Sequence, residues 1–318
     1  MIALMIDPPA HGHYRRLIAP ALTRKRGWHL ESRARSLSVE LIDALVPHGE
    51  CEFVGDFAQH MPIAIFMGML DLPADDRPII MGIVDRIVRP DVPETRMRGF
   101  AELADYTGAL AKARRGDPGE DLVSELIATD IGGRPLDETE LQGLMTVLML
   151  DGLDTVASML TFIARFLATS PDHRRMLVAN PEILTDAIEE FLRRMAMVNL
   201  TREVAVETIL SGMRLKQGDL IVAPTALANF PDDGGDWLAV DFHRPRRPHA
   251  TFGAGAHYCP GSMLARTEIR IFLEEWLRRI PHFTIAEGAR LEIKVGAAVM
   301  IPRLPLVRNG MRTGWDDN

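Results

Sequence analysis

Cysteine is nearly absent from this chain. Of its 318 residues only Cys51 and Cys259 carry thiols. They are too few and too far apart for a disulfide framework, so the expected setting is a reducing, cytoplasmic compartment. An excess of basic charge is also missing. The formal net charge is −8, which excludes nucleic acid as an expected partner, because phosphate backbones need a basic surface. Residues Met1 to Asp7 have neither the positive n-region nor the apolar length of a signal peptide. The only long apolar run, Leu141 to Leu167, is broken by Asp151, Asp154 and Arg165, each costing about 2.5–3.5 kcal/mol at mid-bilayer. That run reads as a buried helix, and no membrane partner is expected. Internal repeats, low-complexity tracts and any flavin or nicotinamide fingerprint are lacking too. What remains is a soluble globular chain, 47% hydrophobic and 25% charged, large enough to bury a sizeable core.

What is present centres on Thr251-Phe252-Gly253-Ala254-Gly255-Ala256-His257-Tyr258-Cys259-Pro260-Gly261. Glycines allow close backbone approach and positive φ. The helix-patterned run Ser262 to Ile280 follows, with Pro260 suited to a first helical position. Cys259 therefore lies at a helix N-terminus, where peptide dipoles and free N–H groups favour a thiolate. With no second cysteine nearby, a four-cysteine zinc or iron–sulfur site does not fit, and a single axial thiolate on haem iron fits better. The plainer alternative is a buried structural cysteine ahead of an ordinary helix.

Elsewhere the pattern predicts helices over 28–46, 61–70, 75–88, 95–115, a stretch opening at Asp121 and ending at Gly132-Gly133, 138–170 and one through Ala187–Arg194. Strands are expected at 51–54, 203–206, 220–223 and within 291–306. Asp137 with Glu140 forms a capping-box pattern. The 138–170 helix is apolar nearly all round, hence central and buried. Asp151, Asp154 and Thr155 within it need an explanation, since an unpaired buried carboxylate costs several kcal/mol or changes protonation state. Either they pair with basic residues elsewhere or they serve a site. Glu190 and Arg193, spaced i,i+3, share a helix face.

The loop resembles the haem-binding loop of the cytochrome P-450 family, Phe-x-x-Gly-x-His-x-Cys-x-Gly. Asp7-Pro8-Pro9, His11 and Arg15 are similar to the family's Asp-Pro-Pro-x-His-x-x-x-Arg. Gly152-Leu153-Asp154-Thr155 is similar to its acid–threonine element, and Glu190 with Arg193 to its Glu-x-x-Arg. Stretches 153–156, 277–281 and 304–307 lean toward the camphor-oxidising bacterial branch. The resemblance covers Asp7 to about Val307 and implies one mainly α domain with small β-sheets (α+β), 1–318. In it a long central helix crosses a haem pocket. It also implies a family N-terminal region missing before Asp7, which would leave the strands near 203–223 and 295–301 without partners.

The same resemblance implies haem b, ligated by Cys259 and contacted by Phe252. Its propionates would be met by His11, Arg15, Arg202 and His257. Asp154 and Thr155 would deliver protons. Val147, Leu150, Asp151, Val198, Leu200, Ala297 and Ala298 would line the substrate pocket, with Asp151 standing where the family usually has Ala or Gly. Glu190, Arg193 and Arg244 would form a structural ion network. The implied activity is monooxygenation of a small, mostly apolar, terpenoid-like substrate by O2, in a monomer fed with electrons by an iron–sulfur ferredoxin docking on the basic run Arg15 to Arg26. A peroxide-driven enzyme of the same fold and a truncated, inactive haem-binding or haem-free remnant are the alternatives.

Overall fold

The structure, a computed structural model, describes residues 5–19, 22, 24–90, 92–230 and 235–308, with backbone alone for 24–30, 151 and 153. It is mainly helical with small sheets. The helices that position the site are α1 (His11–Ile18), α2 (Arg24–Leu45), α3 (His60–Met69), α4 (Arg77–Val88), α5 (Pro93–Gly116), α6 (Leu122–Ala128), α7 (Glu138–Thr169), α8 (Pro171–Ala179), α9 (Leu184–Arg194), the short α10 (Thr225–Ala228) and α11 (Ser262–Arg279).

Helix α7 spans 32 residues, roughly 48 Å at 1.5 Å per residue. Its start is secured by the Asp137–Glu140 capping box. Glu140 N donates to Asp137 Oδ1 at 2.8 Å, and Asp137 N donates to Glu140 Oε2 at 2.9 Å. The helix is long and apolar enough to cross a membrane, yet 75% of that stretch is buried inside the protein. It is a core helix around which the others pack.

The strands are β1 (Glu50–Glu52), β2 (Asp130–Ile131), β3 (Arg134–Pro135), β4 (Asn199–Glu203), β5 (Thr208–Leu210), β6 (Met213–Leu215), β7 (Leu220–Pro224), β8 (Phe283–Ile285), β9 (Lys294–Val295), β10 (Val299–Met300) and β11 (Pro305–Arg308). Strands β1, β11 and β8 form one antiparallel sheet with β11 in the middle, Cys51 facing Leu306 and Leu306 facing Ile285. The β4–β7 ladder runs from Asn199 opposite Pro224 to Glu203 opposite Leu220. Leu220 and Val222 on it, and Ile209, Leu210 and Met213 on the β5–β6 hairpin, are exposed, so this ribbon carries apolar side chains into solvent.

Four local expectations are corrected. The first strand ends at Glu52 and not Val54, because Phe53 turns inward and Val54–Ala58 forms a π-type helical turn. Gly132 and Gly133, with φ of 62° and 87°, do not end a helix. They close a two-residue hairpin between β2 and β3, the conformation glycine adopts without a Cβ clash. The strand expected at 203–206 lies upstream, at 199–203. Asn199 N donates to Ala297 O and Thr225 N to Val198 O, which pins the ladder's near end. Pro260 sits in a turn, and α11 begins at Ser262 with Gly261 as N-cap.

Helix α11 is held along its length. Phe53, Phe57, Phe272, Trp276 and Phe283 form an edge-to-face aromatic knot, with Phe53–Trp276 centroids 5.0 Å apart and Trp276–Phe283 5.9 Å. Toward α2 it makes an ionic seam: Arg35 reaches Glu274 and Glu275 at 2.6 Å, and Arg270 reaches Glu31 at 2.8 Å. The cysteine loop thus hangs from the N-terminus of a fixed helix.

Candidate functional site

The loop before α11 is organised by its own backbone. Cys259 N donates to Phe252 O at 2.8 Å, and Tyr258 N to Gly255 O at 3.1 Å. Gly253 and Gly255 take φ of 72° and 68°, which other residues adopt only with strain. A Cβ on Gly261 would lie 3.8 Å from Cys259 Sγ, so the sulfur sits against the first turn of α11, near its free N–H groups. Neither cysteine forms a disulfide. Burial pushes the Cys51 thiol up to about 12, making Cys51 an inert core residue, whereas Cys259 is only partly buried. Among the described residues no cluster of three or more His, Cys, Asp or Glu could hold a metal.

Helix α1 lies against this loop. Arg15 donates to the Tyr258 carbonyl. The His11 ring lies 4.2 Å from the His257 ring, and His257 Nε2 is 3.1 Å from Asp7 Oδ1. His11 is 2% exposed, yet its Nε2 has no hydrogen-bond partner. Burial, then the charges of His257 and Arg15, lower its pKa. Arg15 is lowered by desolvation, against which the Cys259 sulfur pulls it up. A buried imidazole nitrogen without a partner, beside a desolvated guanidinium and a second imidazole, is a ready cradle for a carboxylate from outside the chain.

The other candidate residues lie on helix α7. Gly152 is exposed, a Cβ added there would meet nothing within 4 Å, and Thr155, three residues on, is only partly buried. Positions i and i+3 share a face, so α7 opens onto free space at that face. Asp154 is 5% exposed and points elsewhere: Arg89, just after α4, forms an ion pair with it, and Ser158 Oγ donates to Oδ2 at 3.4 Å. Arg89 also reaches Asp85 at 2.9 Å, and Gln59 donates to Asp85 at 2.9 Å. Burial raises the Asp154 carboxyl and outweighs the opposing pull of Arg89. The side chain of Asp151 lies outside the described residues. Val147 is buried, while Leu150, Val198 and Leu200 are partly so. Val198 bridges Ala298, Ala297 O accepts from Asn199 N, and Leu200 Cδ1 would be 3.9 Å from a Cβ on Gly253. Arg202 is exposed on β4 and donates to the Thr201 carbonyl at 2.8 Å.

Glu190, Arg193 and Arg244 are joined. Arg193 Nε and Nη2 meet the two Glu190 oxygens at 2.7 and 2.8 Å, and Arg244 Nε meets Oε1 at 3.2 Å. Burial raises the Glu190 carboxyl, but these bonds more than offset it and hold it below the usual range. Sequence reasoning missed Arg89, Tyr14 and Arg266. Arg89 and Tyr14 sit in stretches where one more Arg or Tyr carries no signal. Arg266, on the heels of the cysteine loop, was within reach.

The site fits a haem. It offers one sulfur at a helix N-terminus and a partnerless buried imidazole beside Arg15 for a carboxylate. A family profile for cytochrome P450 matches residues 100–307. The chain is 34% identical over 287 residues to the steroid C26-monooxygenase of Mycobacterium tuberculosis, covering 87% of this chain and 77% of that one. It is 32% identical over 296 residues to the mycinamicin IV hydroxylase/epoxidase of Micromonospora griseorubida, covering 87% and 72%. The crystal structure of CYP101J2 superposes with a TM-score of 0.88 at 36% identity, over 97% of this chain and 78% of that one. That of CYP101C1 gives 0.88 at 32% identity, over 98% and 79%.

Proposed function

The chain belongs to the cytochrome P450 family and is a monooxygenase, and we propose that it places one atom of O2 into a small, mostly apolar organic molecule, terpenoid-like in size, with electrons from an iron–sulfur ferredoxin. When bound, the haem supplies the O2 activation and the insertion chemistry. Cys259 would hold the iron through its sulfur, and backbone N–H groups at the start of α11 would hydrogen-bond that sulfur and restrain its charge. His11, Arg15, His257 and, from β4, Arg202 would hold its propionates.

Asp154 and Thr155 move protons. Burial raises the Asp154 carboxyl, so it holds a proton closer to neutral pH than an ordinary carboxyl does. Arg89 keeps that carboxyl turned away from the cavity. When the pair with Arg89 loosens, the Asp154 carboxyl takes up a proton, swings toward Thr155 and passes that proton to the Thr155 hydroxyl at the open face of α7. Val147, Leu150, Val198, Leu200, Ala297 and Ala298 orient the substrate, the two alanines leaving it room, and Asp151 adds polarity at one end. Glu190, Arg193 and Arg244 brace the loop and take no part in the chemistry. The basic run on α1 and α2, from Arg15 to Arg26, draws in an acidic ferredoxin by local charge despite the net charge of −8. We place the protein in the cytoplasm, as a monomer.

The observation that carries this reading is the convergence of the Cys259 loop with His11, Arg15 and His257. The experiment is the ratio of product formed to electrons consumed in the haem-loaded protein with a ferredoxin system. Thr155→Ala keeps consuming electrons but loses most of its product. If the variant couples as well as the wild type, a peroxide-driven enzyme of the same fold replaces this reading. A haem-free or uncoupled wild type points to an inactive remnant.

A further inference from the structure

One charged cluster under the cysteine loop has no part in the proposal above. Arg266, in the second turn of α11, is clamped on three sides. Nε and Nη2 meet Glu189 Oε1 and Oε2 at 2.6 and 3.0 Å, and Nη1 donates to Ser262 O at 3.1 Å. The guanidinium carbon stands 4.7 Å from the centroid of the Phe252 ring, within cation–π range. Phe252 and Tyr258 flank the hydrogen bond that closes the loop on Cys259. Glu189, on α9, is held from its other side by His249 Nε2 at 3.2 Å. Burial pushes the Glu189 carboxyl up, but the bonds from His249 and Arg266 overcome this and hold it at about 2. The His249 side chain is 7% exposed, and its Nδ1 is buried without a partner. This is costly packing for a mere surface ion pair.

The geometry is directional. The carboxylate meets the Nε–Nη2 edge of the guanidinium, and the guanidinium carbon stands over the ring of Phe252, so a positive charge is held against a residue of the Cys259 loop. Arg15 approaches the same loop from α1 through the Tyr258 carbonyl.

We propose that Arg266 is a positioning residue for the thiolate ligand: held by Glu189 and His249, it fixes a positive charge behind the Cys259 loop and raises the potential at which the bound haem iron takes its first electron. The inference rests on Cys259 being that ligand. A positive charge held near the iron favours the form with one more electron, and one electron from the donor is all the step requires.

The test is the midpoint potential of the purified, haem-loaded protein, measured by spectroelectrochemical titration without turnover. Arg266→Gln lowers it by about 30 mV, a threefold change in the ferrous-to-ferric ratio at 59 mV per tenfold. Arg266→Lys, which keeps a charge, recovers at least half of that shift. Equal potentials in all three proteins, or a lysine variant as low as the glutamine one, overturn the proposal. Should Arg266→Gln not hold haem, Glu189→Gln gives the same test from the other side. The unclamped guanidinium leaves the ring and the potential falls, although a negative charge has been removed. A rise, which charge counting alone gives, overturns the proposal. The wild type's CO-bound spectrum tells the two failures apart. A band without thiolate character sinks the assignment of Cys259, and this inference with it. A thiolate band with unmoved potentials sinks this inference alone.

Discussion

Asp154 of the central helix is paired with Arg89, which lies in the connection after α4, and the pair is nearly dry: their side chains are 7% and 13% exposed. The acid that the sequence places in a buried helix therefore has its partner 65 residues upstream. Breaking such a pair from one side leaves an uncompensated group, at a cost of about 3–5 kcal/mol.

Arg89→Ala should lose about 3 kcal/mol at pH 8 in urea unfolding, and less at pH 5. The carboxyl is already raised by burial, so without Arg89 it takes up a proton readily and sheds its charge. Asp154→Asn should lose only about 1 kcal/mol, because Arg89 keeps Asp85. An Arg89→Ala loss that is the same at both pH values would show that Asp154 carries no charge in the folded protein.

Glu268 gives a stability slope of definite sign. It is 2% exposed on α11, its Oε2 has no partner, and burial raises its carboxyl well above the ordinary range. A carboxyl raised by folding stabilises the protein fully below its unfolded value of about 4.3. That stability drains away as pH rises toward the folded value. Glu268→Gln keeps the shape and removes the ionisation, so the variant should gain on the wild type as pH rises from 4 to 8. A difference that stays constant over that range would show that the carboxyl ionises freely.

Glu140 slopes the other way. Arg134, with Tyr14 and the Asp137 backbone N–H adding to it against the cost of burial, holds it down at about 2. Its stability is complete above about 4.3 and is lost as pH falls toward 2. The Tyr14 hydroxyl donates to it at 2.7 Å and ties α1, with His11 and Arg15, to the start of α7. Tyr14→Phe should cost about 1.5 kcal/mol at pH 7, and the cost should fall away only as pH drops through about 2, where the carboxyl takes up its proton. Thermal melts of both proteins across that range check it. A cost as large at about pH 1 as at pH 7 would mean the bond does not depend on the carboxylate.

The fold and part of the site were legible in the sequence for different reasons. The core helices showed through periodicity, and α7 through its cap and length. The Cys259 loop showed through glycines and a thiol at fixed spacing, which few other structures need. Short strands did not register well, because β4 is placed by hydrogen bonds to Ala297 and Thr225, far along the chain. Gly132-Gly133 read as a stop when it is a hairpin turn, since glycine marks both. Arg89 stayed hidden because its role exists only once α4 packs near α7. Arg266 was in plain sight, but its meaning depends on Glu189 and His249 arriving from other segments.

The central claim is that one sulfur, Cys259, grips the haem iron, and the absorption spectrum of the reduced, CO-bound protein tests it most directly. The expected result is a strongly red-shifted Soret band of the thiolate type, lost in Cys259→Ser and retained in Cys51→Ser. A histidine-type band, or a purified chain that binds no haem, would contradict it.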